Sequence, residues 1–249
     1  MVWRRSSAGI LAACFASVAG AAIFDRDDRI ASTDPRSPVG IVTSSRTSYG
    51  SGFLIDDCHV LTARHVIGKN EVMGMRSRFR LSVGVDRQSD GTVIAAGRQA
   101  ERRGDFSDDW ALLRLDSCLG KEAGAYPVSN QGFYRIGTSS ALLPTLVGLG
   151  YPSDRKRRQA TVDPACAARQ RTEIGLRHDC AAIPGGSGGP LIAWNAARSR
   201  FEAVAINVAE FRQRSAVAFT LERANLAVEL APLRLRIEAA MRQRSIASR

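Results

Sequence analysis

Short runs of β-forming residues, separated by turns rich in Gly, Ser and Asp, recur along most of this chain and restrict the folds that it can adopt. Many short strands at close spacing are typical of a β-sandwich or a β-barrel. Residues 116–138 show little periodicity and divide the strands into two β units, and 249 residues suffice for a sizeable core. The predicted strands span residues 39–43, 51–55, 60–62, 79–85, 92–96, 111–115, 141–149, 171–174, 190–194, 201–208 and 217–221.

The segment that follows these strands has the periodicity of a helix. Pro232 lies inside the pattern and predicts a kink or a break, because proline lacks the N–H that a helix interior needs. We therefore predict a C-terminal helix and tail over residues 223–249. The apolar residues that recur at helical spacing are Leu226, Leu230, Leu233, Ile237 and Met241.

The N-terminus has the pattern of an export signal. Arg4 and Arg5 precede an apolar segment, residues 8–18, and small residues follow it. We predict a cleaved leader over residues 1–21 and a periplasmic or extracellular protein. No later apolar run reaches the length of a membrane span, so we expect no stable membrane insertion.

The leader has an alternative interpretation. A Leu-Ala-Ala-Cys sequence ends at Cys14 and resembles a lipoprotein signal, in which this cysteine would carry a lipid anchor. The residues after Cys14 stay apolar, which favours the cleaved leader. The polar, proline-containing residues 22–38 that follow are predicted to be a linker or a propeptide.

Four cysteines remain once Cys14 is set aside, and an even number in an exported chain predicts disulfides. Three pairings are possible for four cysteines. We favour Cys166–Cys180, which closes a short loop before a glycine-rich stretch, together with Cys58–Cys118. Free buried thiols are the alternative. The spacings do not suit zinc, and we expect neither a metal nor another cofactor.

The charge balance is strongly basic, with 35 Lys and Arg against 24 Asp and Glu and a formal net charge of +11. The densest cluster, residues 155–158, is predicted to be a solvated loop, with a patch for acidic substrates as the second interpretation. No nucleic-acid module or aromatic interleaving accompanies the charge, so we expect no nucleic-acid partner. We expect a monomer.

Residues 184–190 read Pro-Gly-Gly-Ser-Gly-Gly-Pro and place Ser187 between two glycine pairs. Glycines allow positive φ and let successive N–H groups point at one spot. A serine in such a loop has what a nucleophile attacking a carbonyl needs, an exposed hydroxyl and nearby donors. The alternative is a glycine-rich turn with an incidental serine.

The chain offers three histidines as a general base: His59, His65 and His178. His65 follows a predicted strand at the point where the chain turns. A strand end gives a base a rigid mount and leaves one ring nitrogen open, which favours His65.

The acid that would orient this base is Asp109, which directly precedes a strongly apolar predicted strand. A partly buried carboxylate can fix the tautomer of a histidine and stabilise its charged form. Asp105 and Asp108 are the alternatives.

Three motifs therefore occur in a fixed order: Thr-Ala-Arg-His ending at His65, Asp-Trp-Ala-Leu-Leu starting at Asp109, and Gly-Gly-Ser-Gly-Gly-Pro around Ser187. In this order and spacing they resemble the trypsin/chymotrypsin-like serine peptidases, most closely the bacterial glutamyl-endopeptidase-like branch. Gly-Ser-Gly-Phe-Leu-Ile at residues 50–55 is similar to the strand before the histidine in that family. The resemblance covers about residues 39–221.

The resemblance implies an all-β fold of two perpendicular six-stranded antiparallel β-barrels with a C-terminal α-helix. The barrels would span residues 39–125 and 126–222, and the active site would lie in the cleft between them.

The resemblance also implies the role of each site residue. His65 would act as general base and later as general acid, Asp109 would orient it, and Ser187 would form an acyl-enzyme. The backbone N–H groups of Gly185 and Ser187 would form the oxyanion hole.

By the same resemblance, Ala181 lies near the floor of the specificity pocket, and Asn207, Val208 and Ala209 form its wall. No acid marks the floor, so we expect a small or apolar side chain before the cut rather than Arg or Lys. Asn207 stands where the glutamyl branch would have a histidine, which argues against glutamate.

The sequence therefore predicts an exported serine endopeptidase that acts on protein or peptide substrates. Two alternatives stay open: an esterase with the same triad, and a non-catalytic binding protein on the same scaffold.

Overall fold

A computed structural model describes residues 23–25, 27–34, 36–44, 49–81, 87–99, 104–132, 145–155, 159–211 and 216–243. The predicted leader, Cys14, most of the basic cluster at residues 155–158, and parts of two predicted strands, residues 82–85 and 141–144, lie outside this description.

Strands dominate the described chain. None of the described helices is long and apolar enough to cross a membrane. The strands are β1 (Ile30–Ala31), β2 (Val39–Thr43), β3 (Tyr49–Leu54), β4 (His59–Thr62), β5 (Arg76–Leu81), β6 (Arg87–Ala96), β7 (Ala111–Leu115), β8 (Thr145–Gly150), β9 (Thr161–Thr172), β10 (Gly175–His178), β11 (Pro190–Asn195), β12 (Arg200–Ala209) and β13 (Asn225–Glu229). The helices are α1 (Arg64–Ile67), α2 (Gly120–Ala123) and α3 (Arg234–Gln243).

The first six-stranded unit is a closed barrel with strand order β2-β3-β4-β7-β6-β5, in which every pair is antiparallel. The sequence of β5 explains which of its faces is buried. In β5, Ser77, Phe79 and Leu81 are buried and alternate with exposed arginines, which is the period of two expected for a strand with one face in the core.

The second unit is also a closed six-stranded antiparallel barrel. Its strands follow the order β9-β10-β13-β12-β11-β8, and β8 returns to pair with β9. This architecture agrees with the predicted all-β fold of two barrels followed by a helix.

The N-terminal residues of the described chain lie against the second barrel. β1 pairs with β9, and the ring of Phe24 makes an edge contact with the ring of Phe219, with centroids 5.1 Å apart. The buried Arg29 guanidinium lies between the carboxylates of Asp27 (2.8 Å) and Asp154 (2.7 Å). Part of the predicted linker or propeptide therefore packs on the barrel.

Several sequence predictions in the second barrel are wrong. Within residues 217–221 only Val217 is β-paired, through an isolated bridge to Phe24. The predicted strand at residues 171–174 is the end of β9 and a turn. The sequence did not predict residues 161–170 of β9, where Pro164 and the charged residues interrupt the alternation that marks a strand, and it did not predict β10.

The prediction of a C-terminal helix and tail over residues 223–249 is wrong in its first part. Residues 225–229 form β13, which pairs with both β10 and β12, and α3 begins only at Arg234. The Leu230 N–H still donates to the Val204 carbonyl of β12 (3.0 Å). The regularly spaced apolar residues therefore lie in a strand, in a turn containing Pro232 and in a helix.

Two disulfides join the pairs that the sequence favoured. Cys58–Cys118 links the residue before β4 to the segment after β7, and Cys166–Cys180 links β9 to the loop after β10. A disulfide restricts the unfolded chain and typically stabilises by about 2–4 kcal/mol.

Helix α3 packs on the first barrel although it follows the second. Ile237 is 1% exposed and belongs to the same apolar core as Trp110 and Leu113. The Arg236 guanidinium lies over the Trp110 ring, 5.1 Å from its centroid, and donates to Asp108 (2.9 Å).

We predict that Ile237→Ala lowers the free energy of unfolding by about 2–5 kcal/mol, because it leaves a cavity between α3 and the barrel. The matched control is Leu235→Ala on the same helix, where the side chain is 67% exposed. This change should shift stability by less than about 0.5 kcal/mol. Urea unfolding monitored by circular dichroism measures both; equal effects would contradict this packing.

Candidate active site

Two strand ends bring His65 and Asp109 together. β4 pairs with β7 so that Thr62 lies opposite Ala111. His65 follows Thr62 in α1, and Asp109 precedes Ala111, so both lie at one end of this strand pair. The backbone N–H of His65 donates to one carboxylate oxygen of Asp109 (2.9 Å), and the ring Nδ1 lies 2.6 Å from the other.

The contact with Asp109 shifts the pKa of the His65 side chain, which is 41% exposed. Desolvation by the surrounding protein alone would lower the pKa of His65. The hydrogen bond and the charge of Asp109, with a smaller effect of Glu210, raise this pKa above the usual value for histidine. No described residue forms a hydrogen bond with Nε2, the nitrogen that a base would use.

The neighbouring acids have other partners. Asp108 accepts from the Trp110 indole (2.7 Å) and from the Arg98 backbone (2.8 Å). Asp105 accepts from both the backbone and the hydroxyl of Ser107 (3.0 and 2.7 Å). Asp109 is therefore the acid of this group that reaches His65.

The loop that carries Ser187 turns twice through positive φ, at Gly185 (92°) and Gly188 (88°). Glycine adopts this region without the steric penalty of a side chain. Inside the loop the Gly186 N–H donates to Ile183 (2.8 Å) and the Gly189 N–H to Gly186 (2.9 Å). The described residues supply no acceptor for the N–H groups of Gly185 and Ser187, the predicted oxyanion-hole donors.

Ser51 of β3 attaches this loop to the first barrel. Its backbone N–H donates to the Ser187 carbonyl (2.7 Å), and its hydroxyl donates to the Gly185 carbonyl (2.7 Å). The same hydroxyl accepts the N–H of Tyr151 (2.8 Å), which follows β8. No sequence signal predicted this role, although Ser51 lies in the segment at residues 50–55 that resembles a family strand.

Two glycines show how close the loop comes to α1. A Cβ at Gly188 would collide with the Thr62 side chain and lie 3.0 Å from the Ala63 N–H, just before α1. A Cβ at Gly50 would lie 2.5 Å from Val66, the neighbour of His65, and 2.7 Å from the Ser187 carbonyl. The structure thus brings the Ser187 loop and the helix of His65 to one junction between the barrels.

A small cavity of about 30 Å³ lies beside Gly186. Ala181 and Asn207, two of the predicted specificity residues, line it. Val208 is buried in the apolar core, and Ala209 is the last residue of β12; neither lines this cavity as the structure describes it.

His178 of β10, which the sequence offered only as a less favoured base, also lines this cavity. The one signal was its position two residues before Cys180, which the disulfide holds beside the loop. Complete burial lowers the pKa of His178 to about 4, although Leu226, Asp179 and Asn207 act in the opposite direction. His178 is therefore neutral in the folded protein at neutral pH.

The remaining histidine has a local partner. The ring Nδ1 of His59 lies 2.8 Å from Asp56, three residues earlier in the first barrel. The described residues contain no group of three or more His, Cys, Asp or Glu side chains arranged to hold a metal ion.

A family model agrees with this arrangement. Residues 50–198, more than half of the chain, match the model of the trypsin-like peptidase domain. The chain belongs to this family. As a trypsin-like peptidase, the protein is a serine endopeptidase.

The fold has known counterparts. One solved structure, entitled "Structure of Glu endopeptidase in complex with MPD", aligns with a TM-score of 0.66 at 15% identity. The alignment covers 89% of this chain and all of that one. At this identity the likeness concerns the fold. No curated protein sequence matches the chain.

We predict that NMR titration of the peptidase gives different pKa values for His65 and His178. The pKa of the His65 ring should lie above 6.5, and that of His178 near 4. Asp109→Asn should lower the pKa of His65, since the hydrogen bond to a carboxylate and its charge are lost. A His65 pKa that this substitution leaves unchanged would contradict the pairing.

Burial of His178 also predicts acid sensitivity. The unfolded chain takes up a proton near pH 6.5 that the folded chain accepts only near pH 4. Stability is therefore full above about pH 6.5 and falls toward pH 4, by about 3 kcal/mol from this residue. Urea unfolding at pH 8 and at pH 4.5 measures the fall, which should shrink in His178→Gln and persist in the control His59→Gln.

Proposed function

We propose that this peptidase is exported and hydrolyses peptide bonds through Ser187, His65 and Asp109. The observation that carries the proposal is the contact of His65 with Asp109 at the junction where Ser51 binds the Ser187 loop. The Ser187 loop and the His65–Asp109 pair come from distant parts of the chain and adjoin this junction, and the three side chains have the chemistry of triad members, which supports the proposal.

In the first half of the reaction, the His65 Nε2 takes the proton of the Ser187 hydroxyl while Oγ attacks the carbonyl carbon of the substrate. A tetrahedral intermediate forms with a negative oxygen. The C–N bond then breaks, the charged imidazole returns its proton to the leaving amine, and an acyl-enzyme stays on Ser187. Asp109 stabilises the imidazolium, in keeping with the raised pKa of His65.

In the second half, water replaces the amine. His65 takes a proton from the water as its oxygen attacks the ester carbonyl, and then returns the proton to Ser187 Oγ as the C–O bond breaks. The N–H groups of Gly185 and Ser187 stabilise the negative oxygen in both halves. The lack of a described acceptor for either N–H supports this role.

The two disulfides support export to the periplasm or the extracellular space, because disulfides persist in oxidising compartments. A cleaved leader remains our preferred route, with a lipid anchor at Cys14 as the alternative.

The proposal predicts that a fluorophosphonate probe forms one covalent adduct, on Ser187. Peptide mapping by mass spectrometry locates the adduct. Ser187→Ala should abolish labelling and lower peptide hydrolysis by at least about 10³-fold, since the nucleophile is lost.

The matched control is Ser117→Ala, which changes an exposed serine of the first barrel. It should label like the unchanged protein. A folded protein with both disulfides intact that forms no adduct would contradict the proposed function and favour a binding protein on this scaffold.

A further inference from the structure

The N–H of Ser187, one of the two proposed oxyanion donors, is oriented within its own loop. A trans peptide is planar, and its C=O and N–H groups point in opposite directions. The Gly186 carbonyl accepts the Gly189 N–H (2.9 Å), so the Ser187 N–H of the same peptide points away from Gly189. The loop thus orients this donor by itself.

The N–H of Gly185, the second proposed donor, is oriented from outside the loop. The Pro184 carbonyl accepts the backbone N–H of Ser153 (2.8 Å), so the Gly185 N–H of the same peptide points away from Ser153. Gly185 has a φ of 92°, and a glycine permits rotation of the peptide before it. If that peptide turned over, a carbonyl oxygen would replace the N–H and repel a negative substrate oxygen. The bond from Ser153 therefore keeps this donor available.

The segment that contains Ser153 lies against Gly185. A Cβ at Gly185 would lie 2.7 Å from the Tyr151 carbonyl, two residues before Ser153. The residue after Ser153 is Asp154, and its carboxylate accepts from two nitrogens of the Arg29 guanidinium (2.7 and 3.2 Å). The Arg29 side chain therefore holds the segment that orients the Gly185 N–H.

Arg29 itself is firmly placed. Its side chain is 2% exposed, and Asp27 accepts from it twice (2.8 and 2.9 Å). Bidentate bonds to carboxylates fix the plane of a guanidinium. Loss of either carboxylate would leave a buried charge with fewer partners, which is costly in a folded protein. The position of Asp154 is thus tied to that of Arg29.

Arg29 belongs to the N-terminal arm, as we call the described part of residues 23–34. The arm is attached to the second barrel on both sides of Arg29. Before it, the Asp25 N–H donates to the Val217 carbonyl (2.9 Å). After it, β1 pairs with β9. Backbone bonds to the barrel therefore hold the arm, and the arm holds Arg29.

We propose that the N-terminal arm is a permanent part of the peptidase and that Arg29 is a positioning residue for the oxyanion hole. Through Asp154 it holds Ser153 in place, and Ser153 in turn keeps the Gly185 N–H directed at the substrate oxygen. Arg29 takes no part in the covalent steps. The inference rests on the proposed function, because it concerns a donor that acts in the reaction of Ser187.

The mature N-terminus gives a first test, because the inference opposes the release of these residues as a propeptide. A released propeptide leaves an active enzyme behind, whereas loss of Arg29 should lower activity. Mass spectrometry of the exported, active protein should therefore find a chain that begins before Asp27. Fully active protein whose chain begins after Arg29 would overturn the inference.

Arg29→Gln tests the positioning role in the full chain with both disulfides intact. The substrate is the one cleaved fastest in a panel of peptide p-nitroanilides. We expect kcat to fall at least about tenfold, with KM changed by less than about threefold, because only molecules with an aligned N–H stabilise the transition state. Arg29→Lys keeps the charge and should restore part of kcat.

A peptide boronic acid with the sequence of the same substrate gives a readout that a loss of stability alone would not move. Its boron binds the Ser187 oxygen and becomes tetrahedral, and one of its own oxygens then occupies the oxyanion hole as in the transition state. In Arg29→Gln the inhibition constant should rise by about the same factor as kcat/KM falls. An unchanged inhibition constant in this variant would overturn the inference.

Asp154→Asn is the second variant, and it serves if Arg29→Gln fails to fold. It removes the charge that binds Arg29 and leaves Arg29 paired with Asp27, so kcat should fall in the same way. The matched control is Arg198→Gln, which removes an ion pair with Glu202 (3.0 Å) in the same barrel. The control should keep the kcat of the unchanged protein. Asp154→Asn that folds, by circular dichroism, and keeps full kcat would overturn the inference.

The fluorophosphonate probe separates failure of this inference from failure of the proposed function. If the unchanged protein is labelled on Ser187 and the Arg29 and Asp154 variants cleave the substrate as fast as it does, only the positioning role is overturned. If the unchanged protein forms no adduct and cleaves no peptide, the proposed function is overturned, and the role of Arg29 with it.

Discussion

The hydrogen bonds of Ser51 hold the Ser187 loop against the first barrel. Its N–H binds the Ser187 carbonyl, and its hydroxyl both donates to Gly185 and accepts from Tyr151. Because Ser51 is fully buried, a shift of the loop that admitted no water would leave these groups unpaired, at a cost of about 1–3 kcal/mol each. The backbone and the hydroxyl of Ser51 therefore help to fix the position of the serine loop relative to His65, together with the backbone bonds of Asn207 to Gly188 and Gly189.

The sequence predicted those features that depend on local pattern. Strands β2 and β7 were placed with their exact bounds, because each is a short apolar run between clear turns. His65 and Asp109 were selected because each adjoins the end of such a strand. The antiparallel pairing of β4 with β7 then brings these two ends together, a contact that the strand pattern alone does not specify.

The features that the sequence could not supply depend on packing between distant segments. The leucine spacing around β13 fits a helix equally well, and only pairing with β10 and β12 makes it a strand. The polarity of the cavity was missed for a similar reason. Asp163 lies in β9 and His178 in β10, and both line the cavity beside Gly186 in a barrel where these two strands pair.

The contact of α3 with the first barrel has a consequence for the order of folding. Synthesis completes the first barrel long before Arg236 and Ile237 exist, yet these residues cover its Trp110. A nascent chain that lacks α3 leaves that apolar surface uncovered, so the first barrel gains its full packing only after the C-terminal helix has been made. Truncation at the C-terminus thus acts on the domain made earliest, at the opposite end of the polypeptide.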